Sequence, residues 1–167
     1  MKKVREKFGV PALAGVFKKI RRIGKDRLKA GLRTGSKEAP HLKTGRWGEK
    51  QAEKFLKKAG YNILGRRVRS GKHDEIDLIF RDRDTMVFVE VKTRKNETYG
   101  RPAAAVNREK RRKLSRAAVT FLQKRKLRPP TIRFDIVEVI GEPDGEPPEV
   151  RHIENAFQLE GGYRIWW

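Results

Sequence analysis

Two six-residue runs constrain this chain more than any other stretch: Glu75-Ile76-Asp77-Leu78-Ile79-Phe80 and Val87-Phe88-Val89-Glu90-Val91-Lys92. Both are rich in β-branched and aromatic residues, and the polar segment Arg81-Asp82-Arg83-Asp84-Thr85 between them reads as a turn. They predict a hairpin of strands Glu75–Phe80 and Met86–Thr93. With Phe80 facing Val87, the pairs Phe80/Val87, Leu78/Val89 and Ile76/Val91 form one wholly apolar face. A slip of one residue would set charged side chains against apolar ones, so the register is well specified. The other face then reads Ile79/Phe88, Asp77/Glu90 and Glu75/Lys92.

Two carboxylates directly opposite on a sheet repel each other, and apolar neighbours raise that cost. A cation between them relieves it. Mg²⁺ and similar hard ions take oxygen ligands and keep several waters, which leaves room for a phosphate. Lys92, two residues from Glu90 on the same face, can meet that phosphate or orient an attacking water. Two carboxylates and a lysine around a divalent ion can hydrolyse a phosphodiester. The plainer alternative is a pair of solvated carboxylates with an ordinary Glu75/Lys92 ion pair. Parity, register and basic surroundings together favour the site.

Elsewhere the pattern is coarser. Trp47, Gln51, Phe55 and Ala59, joined by Gly48, Ala52 and Leu56, predict a helix over 46–59, with Thr44 as N-cap and Gly60 as stop. Residues 61–69 form a short strand, and Ser70-Gly71 a turn. A loop covers 96–102. A helix over 107–125 turns Leu114, Ala117, Ala118, Phe121 and Leu122 inward and ends before Pro129-Pro130. Residues 132–140 form a strand, 141–148 an acidic loop, and 153–157 a last short strand. The expected class is α/β, with a mixed sheet, because the second helix is long enough to be a crossover.

Charge narrows the partners. The chain carries 42 Lys+Arg against 21 Asp+Glu, net +21. Residues 1–43 hold +11, 44–100 hold +5, 101–128 hold +10, and 129–167 hold −5. A merely solubilising surface needs a net charge of about 2–8, so a polyanion is the expected partner: DNA, RNA or an anionic membrane surface. The 101–128 helix should offer a cationic face to a phosphate backbone through Lys110, Arg112, Lys113 and Arg116, with Arg94 beside the hairpin. Thr93 could also touch phosphate. Within 1–43, Leu13, Val16, Phe17 and Ile20 have helical spacing between basic residues, in an extension that is flexible or a short amphipathic helix.

The chain has no cysteine, which excludes disulfides, thiolate metal sites and a cysteine nucleophile, and His41, His73 and His152 are too scattered for a zinc site. No apolar run approaches the roughly 20 residues of a membrane span, and Pro11 and Gly15 interrupt the one near the start. These features point to a cytoplasmic protein without stable membrane insertion. Trp47 is expected in the core, Trp166 and Trp167 as possible stacking residues, His73 as a solvated turn residue, and Asp135 as a structural residue near the site.

An acidic residue on one strand followed by Glu-x-Lys on the next resembles the PD-(D/E)XK nucleases. The longer strings Gly45-Arg46-Trp47-Gly48-Glu49 with Ala52, Glu75-Ile76-Asp77-Leu78-Ile79, Phe88-Val89-Glu90-Val91-Lys92-Thr93-Arg94, Tyr99-Gly100 and Arg133-Phe134-Asp135 resemble the YraN family of bacterial proteins, grouped with Holliday-junction resolvases. That resemblance covers roughly 44–140. It implies a restriction-endonuclease-like core of helix, three strands, helix and strand, the sheet flanked by helices. The expected division of the chain is a basic extension (1–43), a nuclease-like domain (44–160) and a C-terminal tail (161–167). The resemblance implies Asp77, Glu90 and the Val91 carbonyl as ligands of Mg²⁺ or Mn²⁺, Lys92 as the catalytic lysine, and Glu49 as a third carboxylate near the metal. The family usually has glycine where this chain has Asp74. The implied function is metal-dependent cleavage of structured or branched DNA, with a homodimer suited to two-fold junctions. The alternatives are a nucleic-acid-binding module without turnover, or a basic RNA- or ribosome-associated protein.

Overall fold

A computed structural model describes residues 39–70, 74–98, 100 and 102–163. The basic extension through residue 38, with its expected helix, lies outside the described residues, as do His73, Tyr99, Trp166 and Trp167. The elements run α1 (Pro40–Lys58), β1 (Asn62–Ser70), β2 (Asp74–Asp82), β3 (Thr85–Arg94), a 3₁₀ turn (Pro102–Ala105), α2 (Arg108–Arg125), β4 (Thr131–Ile140) and β5 (Glu149–Phe157). One five-stranded sheet has the order β1-β2-β3-β4-β5. Only β3 and β4 run parallel, joined by the crossover through α2; the other neighbours are antiparallel. This is the mixed α/β architecture that the sequence predicts, compatible with a restriction-endonuclease-like core.

Both faces of the sheet are covered. On one side Ile79, Met86, Phe88, Phe134 and Ile136 pack with Leu114, Ala117, Phe121 and Leu122 of α2. On the other, Leu78, Phe80, Val87, Val89, Val137 and Val139 pack with Ala52 and Leu56 of α1. Every residue of α2 expected to point inward is buried. Its first turn is capped by Asn107, whose side chain accepts the Lys110 N–H at 3.0 Å. Among the described residues no helix is long and apolar enough to cross a membrane.

Helix α1 departs from expectation at its start. It begins at Pro40, not after Thr44, because proline at the first position has a preset φ and no N–H to satisfy. Ala39 O accepts from the N–H groups of Leu42 and Lys43. Thr44 therefore lies inside the helix. At the other end Gly60 has φ 92°, and the Tyr61 N–H bonds back to Leu56 O at 3.0 Å, the glycine-terminated closure. The buried line of α1 runs Gly48–Ala52–Leu56, while Phe55 and Ala59 are exposed. The buried arc is thus rotated toward Glu49 and Glu53, whose side chains are only 18% and 14% exposed.

The hairpin keeps the expected register at Phe80↔Val87, Ile79↔Phe88 and Leu78↔Val89, with a tighter turn than expected at Arg83-Asp84. Beyond Leu78 the pairing stops. Ile76 joins the α2 side, whereas Leu78 and Val91 lie on the α1 side. The expected pair Ile76/Val91 is therefore split between faces. Arg67, facing this point from β1, has φ 46°, and Val68 and Ile76 pair beyond it on the α2 side. A left-handed residue in one strand and a strand that leaves its ladder in the other switch the face together.

Candidate active site

Asp77 sits where β2 departs from β3. It does not oppose Glu90 as a ladder partner; its Oδ2 instead accepts the Val91 N–H at 2.8 Å. Glu90, between Val89 and Val91, points to the α2 side and is 3% exposed. Its Oε1 takes two lysines, Lys92 Nζ at 2.8 Å and Lys110 Nζ at 2.9 Å. Its Oε2 is buried and has no hydrogen-bond partner among the described residues. Burial pushes the Asp77 carboxyl up to about 7, and the Glu90 charge adds to the rise. The two carboxylates therefore share one field, as the expected like-charge pair would.

Glu75 does not pair with Lys92. It binds Arg67 at 3.1 Å and Arg69 at 3.0 Å on β1, which face it across the edge of the sheet. Glu49 lies 3.7 Å from Arg67 Nη1. Its partial burial raises its pKa against the pull of Arg67, and Glu75 and Glu90 raise it further. Glu49 thus borders the cluster from α1, through Arg67. The approach of α1 to β3 needs a glycine: a Cβ on Gly48 would fall 1.9 Å from Thr93 Oγ1 and 3.0 Å from Thr93 Cβ. Thr93 lies beneath the helix.

Glu138 was not anticipated. It stands beside Lys92 in the parallel register, is fully buried, and accepts the Ala103 N–H at 2.7 Å, tying down the 3₁₀ turn. Arg151, bound to Glu97, lies 3.8 Å from its Oε2. A charged residue inside Ile136-Val137-Glu138-Val139-Ile140 was the available signal. Asp135 is fully buried on the α1 side, fixed by Arg133, His152 and the Asn155 N–H, so it supports the sheet from the face opposite Glu90.

The expected cationic face divides. Lys110 reaches the site. Arg116 makes a two-pronged pair with Asp74, which accounts for an acid at that position. Lys113 pairs with Glu109 at 2.7 Å. Arg112 and Arg94 are exposed. A separate shallow hollow of about 480 Å³ on the outer face of α1 is lined by Lys50, Glu53, Lys54, Lys57 and Lys58.

Among the described residues no three His, Asp or Glu side chains form a ready-made metal cage. Mg²⁺ does not need one: it is commonly held by one or two carboxylates, with waters and substrate phosphate completing the shell. Glu90, with a buried oxygen that has no partner among the described residues and a second carboxylate beside it, fits that demand.

The uncharacterised protein family UPF0102 matches residues 48–139. A UPF0102 protein of Geotalea daltonii is 46% identical over 115 residues, covering 69% of this chain and 89% of that protein. One from Clostridium acetobutylicum is 43% identical over 117 residues, covering 70% and 95%. One from Symbiobacterium thermophilum is 46% identical over 115 residues, covering 69% and 96%. With Glu49, Asp77, Glu90 and Lys92 all inside the matched span, the chain belongs to the UPF0102 family, the YraN family that its motifs resemble.

Proposed function

We propose that this protein is a divalent-metal-dependent endonuclease that hydrolyses phosphodiester bonds in structured or branched DNA. The observation that carries the proposal is Glu90: buried, with one oxygen on two lysines and the other without a partner among the described residues, beside a second carboxylate whose pKa is raised. Asp77 and Glu90, with the Val91 carbonyl, would hold Mg²⁺ or Mn²⁺. The ion would supply Lewis-acid charge at a phosphoryl oxygen and acidify water at the site. The Lys92 ammonium, held by Glu90, takes up negative charge developing on the phosphate or orients the incoming water. Glu49, at the α1 border, accepts a proton from that water or holds it in place. Exposed Arg94 and Arg112 grip the backbone, so binding falls steeply with salt.

A second reading, a nucleic-acid-binding module of this fold without turnover, draws on the two lysines that already balance Glu90. Incubating the protein with linear, flap and four-way-junction DNA and Mn²⁺ separates the two. Cleavage by the parent and none by Glu90→Ala supports the nuclease. Binding to all three without a cut by the parent supports the module.

A further inference from the structure

Lys92 and Lys110 reach one oxygen from different elements. Lys92 follows Glu90 on β3; Lys110 comes from the first turn of α2. Two lysines thus face the two carboxylates Glu90 and Asp77, yet both ammonium groups gather on the single oxygen Oε1 while Oε2 stays unpartnered among the described residues. The placement is also built. The Asn107 side chain accepts the N–H of Lys110 itself, so the cap holds this residue's backbone. A third of the Lys110 side chain is exposed, which leaves its ammonium a path toward an arriving polyanion.

We infer that Lys110 is a second lysine of the reacting centre, resting on Glu90 until substrate enters and then passing to a non-bridging oxygen of the scissile phosphate. The inference rests on the nuclease reading above and gives α2 a role at the reacting phosphate rather than along the backbone. The exchange swaps a carboxylate for a phosphate partner and makes no covalent bond. It becomes favourable once another cation balances Glu90.

The test uses the full chain with Lys110→Met and Lys110→Gln, which keep most of the aliphatic stem. Lys124→Met, exposed in the last turn of the same helix, controls for the loss of one helix charge. DNA affinity is read by fluorescence anisotropy in EDTA, Mn²⁺ affinity by calorimetry, and cleavage under single turnover at saturating DNA. Both Lys110 variants should bind DNA within about threefold of the parent and bind Mn²⁺ at least as tightly, yet cleave roughly 100-fold or more slowly, as expected for a lost phosphate-stabilising donor. Lys124→Met should cleave at the parental rate. Parental cleavage by the Lys110 variants, or a loss confined to DNA affinity, would make Lys110 a backbone contact. Weaker Mn²⁺ binding would make it a structural support for Glu90. A parent that cleaves no DNA removes the nuclease reading and this inference together, whereas a cleaving parent with equally fast variants removes Lys110 alone.

Discussion

Asp77 closes the gap between two strands with its side chain: its Oδ2 accepts the Val91 N–H at 2.8 Å just where β2 and β3 cease to pair. The same carboxylate thus replaces a ladder bond and faces the Glu90 charge. These two duties set the pH behaviour of the site.

In metal-free buffer the Asp77 carboxyl of the folded protein should keep a proton that it loses in the unfolded chain between about pH 4, the ordinary Asp value, and about pH 7, its raised value in the fold. A raised carboxyl contributes stability that is fully present below the unfolded value and lost as pH rises through the folded one. Thermal unfolding in EDTA should therefore show stability falling across that window. Asp77→Asn keeps an acceptor for Val91 but cannot ionise. It should flatten the fall and leave the variant several degrees more stable than the parent at pH 8.

Glu90→Ala should do the opposite. It strands Lys92 and Lys110 near each other without their shared carboxylate. Removing one member of a buried pair costs about 3–5 kcal/mol, and less here because both lysines are partly exposed. Denaturant unfolding at pH 8 should rank Asp77→Asn above the parent and Glu90→Ala below it.

Gly48→Ala tests the approach of α1 to β3. Rotation can turn Thr93 Oγ1 away from the added Cβ, but Thr93 Cβ, 3.0 Å from it, does not move on rotation, so the helix or the strand must shift. The variant should lose about 1–3 kcal/mol by denaturant unfolding, the usual range for overpacking. A loss under about 0.5 kcal/mol would mean that the helix can lift from the strand at little cost.

Much of this was legible beforehand. The register Leu78/Val89 to Phe80/Val87 followed from alternation, since only one register gives the hairpin a wholly apolar face. The inner face of α2 followed from its period. The face switch at Ile76 was not legible: a pattern reads parity, and parity breaks where Arg67 enters the left-handed region opposite Asp77. Lys110 was visible as a helix cation, yet nothing in its spacing showed that α2 would bring it to Glu90. Glu49 was visible only through the family strings; its neighbours Lys50 and Glu53 suggested an exposed position, and the rotated arc of α1 half-buries it.

Glu138→Ala should free the 3₁₀ turn beside the site. The fully buried carboxylate holds the Ala103 N–H at 2.7 Å, and leaving that donor unpaired costs about 1–3 kcal/mol. Hydrogen exchange at Ala103 should accelerate in the variant while amides in β1 stay protected. Unchanged exchange at Ala103 would show that the turn is held by other contacts.

The central claim is that Asp77 and Glu90 together bind a divalent ion. Calorimetric titration of Mn²⁺ into the parent and Glu90→Gln at pH 6 and pH 8 tests it most directly. The account predicts one ion per chain in the parent, tighter at pH 8 because binding must displace the Asp77 proton, and no measurable binding to Glu90→Gln. Equal heats for parent and variant, or no binding at either pH, would contradict it.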